Sequence, residues 1–137
     1  MGALTTGPTL NLSPLWSPDG ARIVFVSRRD GVEGLYTTDA AGGGTEQIVH
    51  QSPESKHPTD WSPDGRFLLY STLSPNSGSD LWVLPIGGDN KPQPLVQTPS
   101  NESDGRFSPD GRWVAYVSDE SGRDDVYVRT FPQSDRR

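Results

Sequence analysis

The sequence predicts an all-β chain of β-propeller blades, each of four antiparallel strands. Its 137 residues hold three blades' worth, half of a six-bladed ring. Three observations carry that prediction. Ser-Pro-Asp-Gly occurs three times, at residues 17–20, 62–65 and 108–111, each directly after an aromatic: Trp16, Trp61 or Phe107. Those aromatics are spaced 45 and then 46 residues apart, a period of propeller blades and not of helical solenoids. The run after each turn is β-branched or aromatic at consecutive positions, as a sheet covered on both faces requires.

Each unit divides in the same order. In the turn, Pro presets its own φ, Asp suits the second position, and Gly accepts a positive φ. Together they close a type I turn with a bulge. The strand before the turn, A, covers residues 10–16, 56–61 and 102–107, and the apolar strand after it, B, covers 23–26, 67–70 and 113–117. An aromatic stands five residues past each turn glycine: Phe25, Tyr70 and Tyr116. Strand C holds the next aromatics, Tyr36, Trp82 and Tyr127, over residues 35–39, 81–86 and 126–130. Glycine punctuation at 42–44 and 87–88 leads into strand D over 46–50 and 93–98. No segment sustains a helical period, so no helix is expected.

The chain reads as one propeller segment over 1–137, with blades at 9–53, 54–99 and 100–137. The third unit runs out after strand C, and residues 1–8 read as a strand D that completes a third blade. An open arc exposes an apolar face at each end and an unpaired strand edge. Two copies closing head to tail would cover both, so a homodimer forming a six-bladed ring is expected, unless a longer parent chain supplies the remaining blades.

Composition fits once the period is seen. Gly, Pro and Ser number 15, 13 and 16, and only 31% of residues are hydrophobic, which without a period would signal disorder. Twelve aromatics argue the other way. Eighteen acids against twelve bases argue against a nucleic-acid partner. The absence of Cys excludes disulfides and thiolate chemistry. No apolar run approaches the ~20 residues of a membrane span, so no membrane insertion is expected. Residues 1–6 lack the basic start and apolar core of a signal peptide.

No catalytic constellation is present. Gly-x-Ser-x-Gly is missing, and His50 and His57, seven apart on different strands, match no metal-ligand spacing. Asp19, Asp64 and Asp110 read as turn residues bonded to their own backbone, and Trp16, Trp61 and Phe107 as core between blades. The acidic stretch from Asp119 to Asp125 reads as a solvated loop more readily than as a calcium site. Residues 42–44 form a turn with no helix behind it, hence no phosphate cradle. No cofactor and no metal are therefore expected, and a binding surface remains. The B–C turns and D–A loops share one face of the disc and differ between units, which is where function is usually placed. Its candidate contacts are Arg28, Arg29, Lys56, His57, Glu102 and Arg123.

Aromatic-Ser-Pro-Asp-Gly, then a basic residue and an apolar strand, then an aromatic strand C and Gly-Gly, resembles the TolB-type (WD-like) β-propeller repeat. The resemblance covers nearly the whole chain. Residues 61–71 and 107–118, followed by Ser121-Gly122-Arg123 and Val126-Tyr127-Val128, look especially like the C-terminal propellers of bacterial receptor-like serine/threonine kinases. Similar repeats occur in TolB and in the N-terminal propellers of prolyl-oligopeptidase-like peptidases. In these settings the propeller binds, gates or senses, and the chemistry sits in another domain. The resemblance thus implies a non-catalytic scaffold for a protein or peptide ligand, a sensor module of a bacterial signalling protein, periplasmic or otherwise extracytoplasmic. It equally admits the gating propeller of a serine peptidase without its catalytic domain. A self-assembling propeller fragment with no ligand is the third reading.

Overall fold

A computed structural model describes residues 10–42, 45–74, 78–87 and 90–132. Eleven strands are present among them, and no helix. The first sheet contains β1 (Leu10–Trp16), β2 (Arg22–Arg29), β3 (Val32–Asp39) and β4 (Gln47–Gln51). The second contains β5 (Ser55–Trp61), β6 (Phe67–Ser74), β7 (Gly78–Pro85) and β8 (Gln93–Val96). The third contains β9 (Glu102–Phe107), β10 (Trp113–Ser118) and β11 (Asp125–Thr130). Each is an antiparallel meander in which neighbours in sequence are neighbours in space. The expected strand D at residues 1–8 lies outside the described residues.

Pairing follows from the turns. From Arg22↔Asp39 to Arg29↔Val32, β2 and β3 pair without a break, because Asp30 and Gly31 both take positive φ, 54° and 78°. Such a two-residue turn matches the twist of the strands it joins. The B–C hairpin therefore extends past the apolar run into Arg28 and Arg29. The innermost strands are less regular. β1, β5 and β9 each shift register against their partner, and Ser13 and Asp104 take φ of 56° at those irregularities.

The period-2 alternation of strands explains why the apolar runs are continuous. Leu68 and Tyr70 of β6 join Trp61 and Leu84 against Val24, Val26 and Leu35 of the first sheet. Leu69, between them, points the other way, into a cluster with Leu81, Val83, Leu95 and Val96 that meets Val114 and Tyr116 of the third sheet and Phe131 just beyond it. Leu68, Leu69 and Tyr70 are all buried, with Phe67 partly so, because both faces of the middle sheet have a neighbour. Among the described residues, the outer faces of the end sheets have none. Trp16 is 60% exposed although its repeat equivalent Trp61 is buried, and on the third sheet Val126 and Val128 are 73% and 62% exposed. As inter-blade core, then, Trp61 is fully used, Phe107 partly, and Trp16 lies open.

Candidate functional site: grooves between the repeated turns

The three Ser-Pro-Asp-Gly turns are built identically. The Ser17 hydroxyl donates to Asp19 Oδ1 at 2.6 Å and accepts the Arg22 N–H at 3.0 Å. Asp19 Oδ1 also accepts the Ala21 N–H at 3.0 Å. Ser62 and Asp64 repeat these contacts, as do Ser108 and Asp110. Gly20, Gly65 and Gly111 close the turns at φ of 74°, 78° and 75°. The serine hydroxyl first, then the backbone N–H, hold all three carboxyls below the ordinary aspartate range. They serve the turn, as expected, and form no catalytic triad.

Successive turns leave grooves between them. The first, of about 350 Å³, lies between turns one and two, lined by Asp19, Arg22, Trp61, Pro63, Asp64 and Ile86. The second, of about 460 Å³, lies between turns two and three, lined by Pro63, Asp64, Arg66, Phe67, Asp110 and Phe131. Pro63 and Asp64 are thus a wall common to both. Each groove offers an aromatic floor, an arginine and two carboxylates. Each lining thus places apolar surface beside hydrogen-bond donors and acceptors, the usual make-up of a binding groove. The repeat made these residues legible as turn and core; the space between turns of different blades was not.

The opposite end of the strands carries the residues singled out from the sequence, and the structure separates them by role. Arg28 pairs with Glu33 at 2.9 Å. Arg29 pairs with Glu46 at 2.5 Å and lies 4.0 Å above the Tyr36 ring, a cation–π contact. Arg123 is largely exposed, beside Asp125 at 3.4 Å. His57 is exposed, with Nδ1 3.5 Å from the Ser13 hydroxyl. Lys56 and Glu102 depart from the expectation of surface contacts: both are buried. The Lys56 ammonium donates to three backbone carbonyls, and Glu102 accepts the Thr98 hydroxyl at 2.5 Å. Burial pushes Glu33 up, but the Lys56 N–H and the Arg28 guanidinium outweigh it and leave its carboxyl below the ordinary range. In the loop after β10, Asp119 bonds the Asn101 backbone at 2.8 Å and its side-chain amide at 2.9 Å. Among the described residues no three His, Cys, Asp or Glu side chains converge on a common point, and no helix is long and apolar enough to cross a membrane.

No family model matches the chain. The Tol-Pal system protein TolB of Francisella tularensis subsp. mediasiatica is 36% identical over 126 residues, covering 89% of this chain and 28% of that protein. Among solved structures, TolB from Acinetobacter baumannii superposes with a TM-score of 0.77 at 22% identity, covering 94% of this chain and 32% of that one. A prolyl endopeptidase reaches a TM-score of 0.67 at 16% identity, over 93% of this chain and 21% of that one. The fold is that of a β-propeller arc. More narrowly it is TolB-like, and the chain spans less than a third of the TolB chains it matches.

Proposed function

We propose that the chain is a non-catalytic propeller scaffold that binds a protein or peptide in the grooves between its Ser-Pro-Asp-Gly turns. The observation that supports this is the shared wall: Pro63 and Asp64 border both grooves, so one extended segment can lay a side chain on either side of them. In this reading the module serves as the sensor part of a bacterial signalling protein, outside the cytoplasm, with Arg28, Arg29, His57 and Arg123 as a second contact face. The test is selection of peptides from a displayed library on the purified chain. Enriched peptides should lose about tenfold in affinity on Arg66→Glu, a change of roughly 1.4 kcal/mol. Failure to enrich any peptide, or peptides insensitive to Arg66→Glu but lost on Arg123→Ala, would remove the grooves as the site. Hydrolysis of a peptide by the chain alone would contradict the scaffold reading itself.

A second copy of the chain is the partner that the end sheets suit. Trp16 occupies the repeat position of Trp61, which the preceding blade covers, and Val126 and Val128 stand on the face that the first and second sheets turn toward a following blade. Each open face therefore matches one already seated inside the molecule. Head-to-tail pairing of two chains into a six-bladed ring would join them. Light scattering should then give twice the mass of 14.9 kDa, and a stable monomer would refute the pairing.

A further inference from the structure

One position of the repeat carries opposite charges at the two blade junctions. Glu102 follows Lys56 by 46 residues, the offset that also relates Asp80 to Gly34 and Ser79 to Glu33. At the first junction Lys56 is 5% exposed, and its Nζ donates to the carbonyls of Glu33 at 3.0 Å, Ser52 at 2.7 Å and Glu54 at 2.7 Å. At the second junction that place belongs to Glu102, 0% exposed, and a second carboxyl, Asp80 at 5% exposed, replaces the glycine. An ammonium attended by the Glu54 and Glu33 carboxylates has given way to two carboxylates with no ammonium.

Their partners do not use all their oxygens. Glu102 Oε2 accepts the hydroxyls of Thr98 at 2.5 Å and Ser118 at 3.4 Å, and Asp80 takes a bond from the Gln97 side chain. One oxygen of each, Glu102 Oε1 and Asp80 Oδ1, is buried with no hydrogen-bond partner. No Lys, Arg or His among the described residues forms an ion pair with either carboxyl. Burial raises both above the ordinary carboxyl range, and Glu102 is raised further by the Asp80 charge. Leaving two anionic oxygens unmatched in the interior is costly.

We propose that a hard divalent cation, calcium in the first instance, binds at the junction of the second and third sheets through Asp80 and Glu102. It fills the role that the Lys56 ammonium fills at the first junction. The charge it brings cancels two carboxylates, and calcium takes all-oxygen shells in which backbone carbonyls and water complete the set. The 46-residue offset puts the carbonyls of Ser79, Thr98 and Ser100 in register with the three that Lys56 engages. Neither the grooves nor the turns take part in this site.

The test is calcium binding by the full chain after chelation, measured by equilibrium dialysis with radioactive calcium and by thermal unfolding. One ion per chain is expected, with the unfolding midpoint raised by about 5 °C at saturation. The shape-preserving double variant Asp80→Asn/Glu102→Gln should lose both effects. Absence of saturable binding by the unmodified chain would overturn the proposal whether or not the variant folds. So would a midpoint that calcium leaves unmoved but that rises on acidification, which would mean a shared proton. Binding retained by the double variant would also overturn it and place the ion elsewhere, on exposed carboxylates such as Asp119 and Asp125.

Discussion

Asp60 Oδ2 accepts the backbone N–H of Phe107 at 2.7 Å, joining the inner strand of the second sheet to that of the third. Its other oxygen, Oδ1, accepts the Trp61 N–H at 2.9 Å. One carboxylate thus braces both its own strand and the next blade's. Asp60→Ala should cost about 1–3 kcal/mol, because two backbone donors lose their acceptor at a packed junction. Urea unfolding should show a lower midpoint with an unchanged slope.

Gly105 sits where the inner strand of the third sheet presses on the second. A Cβ there would lie 2.9 Å from Leu81 Cδ1, 3.2 Å from Leu81 Cδ2 and 3.3 Å from Leu69 Cδ1. Both leucines are fully buried, so the extra methyl must be absorbed by repacking. Gly105→Ala should destabilise by roughly 1–3 kcal/mol through overpacking, read as a fall in the thermal midpoint. An unchanged or higher midpoint would show that this junction has room.

Lys56→Met keeps the unbranched shape of the side chain, one atom shorter, and removes its charge. It strips the donor from three carbonyls at the first junction. The expected loss is about 1.5–3 kcal/mol, the range for hydrogen bonds to a charged group. A methionine that raised stability would show those carbonyls reaching water.

Two sets of carboxyls give stability opposite dependences on pH. Asp19, Asp64 and Asp110 are held below the ordinary value of 3.8, chiefly by their serine hydroxyls. Their contribution is present above that value and is lost as pH falls through their folded-state values. Asp64→Asn should flatten the acid limb of a stability–pH curve. Glu102 is shifted upward from 4.5 by burial. In chelated buffer its contribution is full below that value and is lost as pH rises through its folded-state value. Glu102→Gln should therefore be more stable than the parent near neutral pH, with the gap closing in acid. Both curves can be taken from urea midpoints across pH.

Much of this architecture is legible in one dimension, because the repeat marks its own punctuation. The turns at Ser17, Ser62 and Ser108 fall where the tetrapeptide predicts, and the covered faces of β6 follow from Phe67-Leu68-Leu69-Tyr70. The strand ends were less visible. Asp30-Gly31 is itself a two-residue hairpin signal, and reading it so would have carried β2 and β3 out to Arg29 and Val32. The burial of Lys56 and Glu102 left no such trace. Charged residues at a strand's start are normally exposed, and these are enclosed by the neighbouring blade, which no pattern along a single strand reports. The grooves escaped for the same reason, since each lies between turns 45 or 46 residues apart.

The Ser-Pro-Asp-Gly turn satisfies itself within six residues, from the Ser17 hydroxyl to the Arg22 N–H. None of those bonds reaches a neighbouring sheet. A blade's first turn therefore asks nothing of its position in the row, although its strands still need a neighbour to cover them. Modules with that independence can be copied, inserted or deleted whole, leaving evolution to alter only the seams.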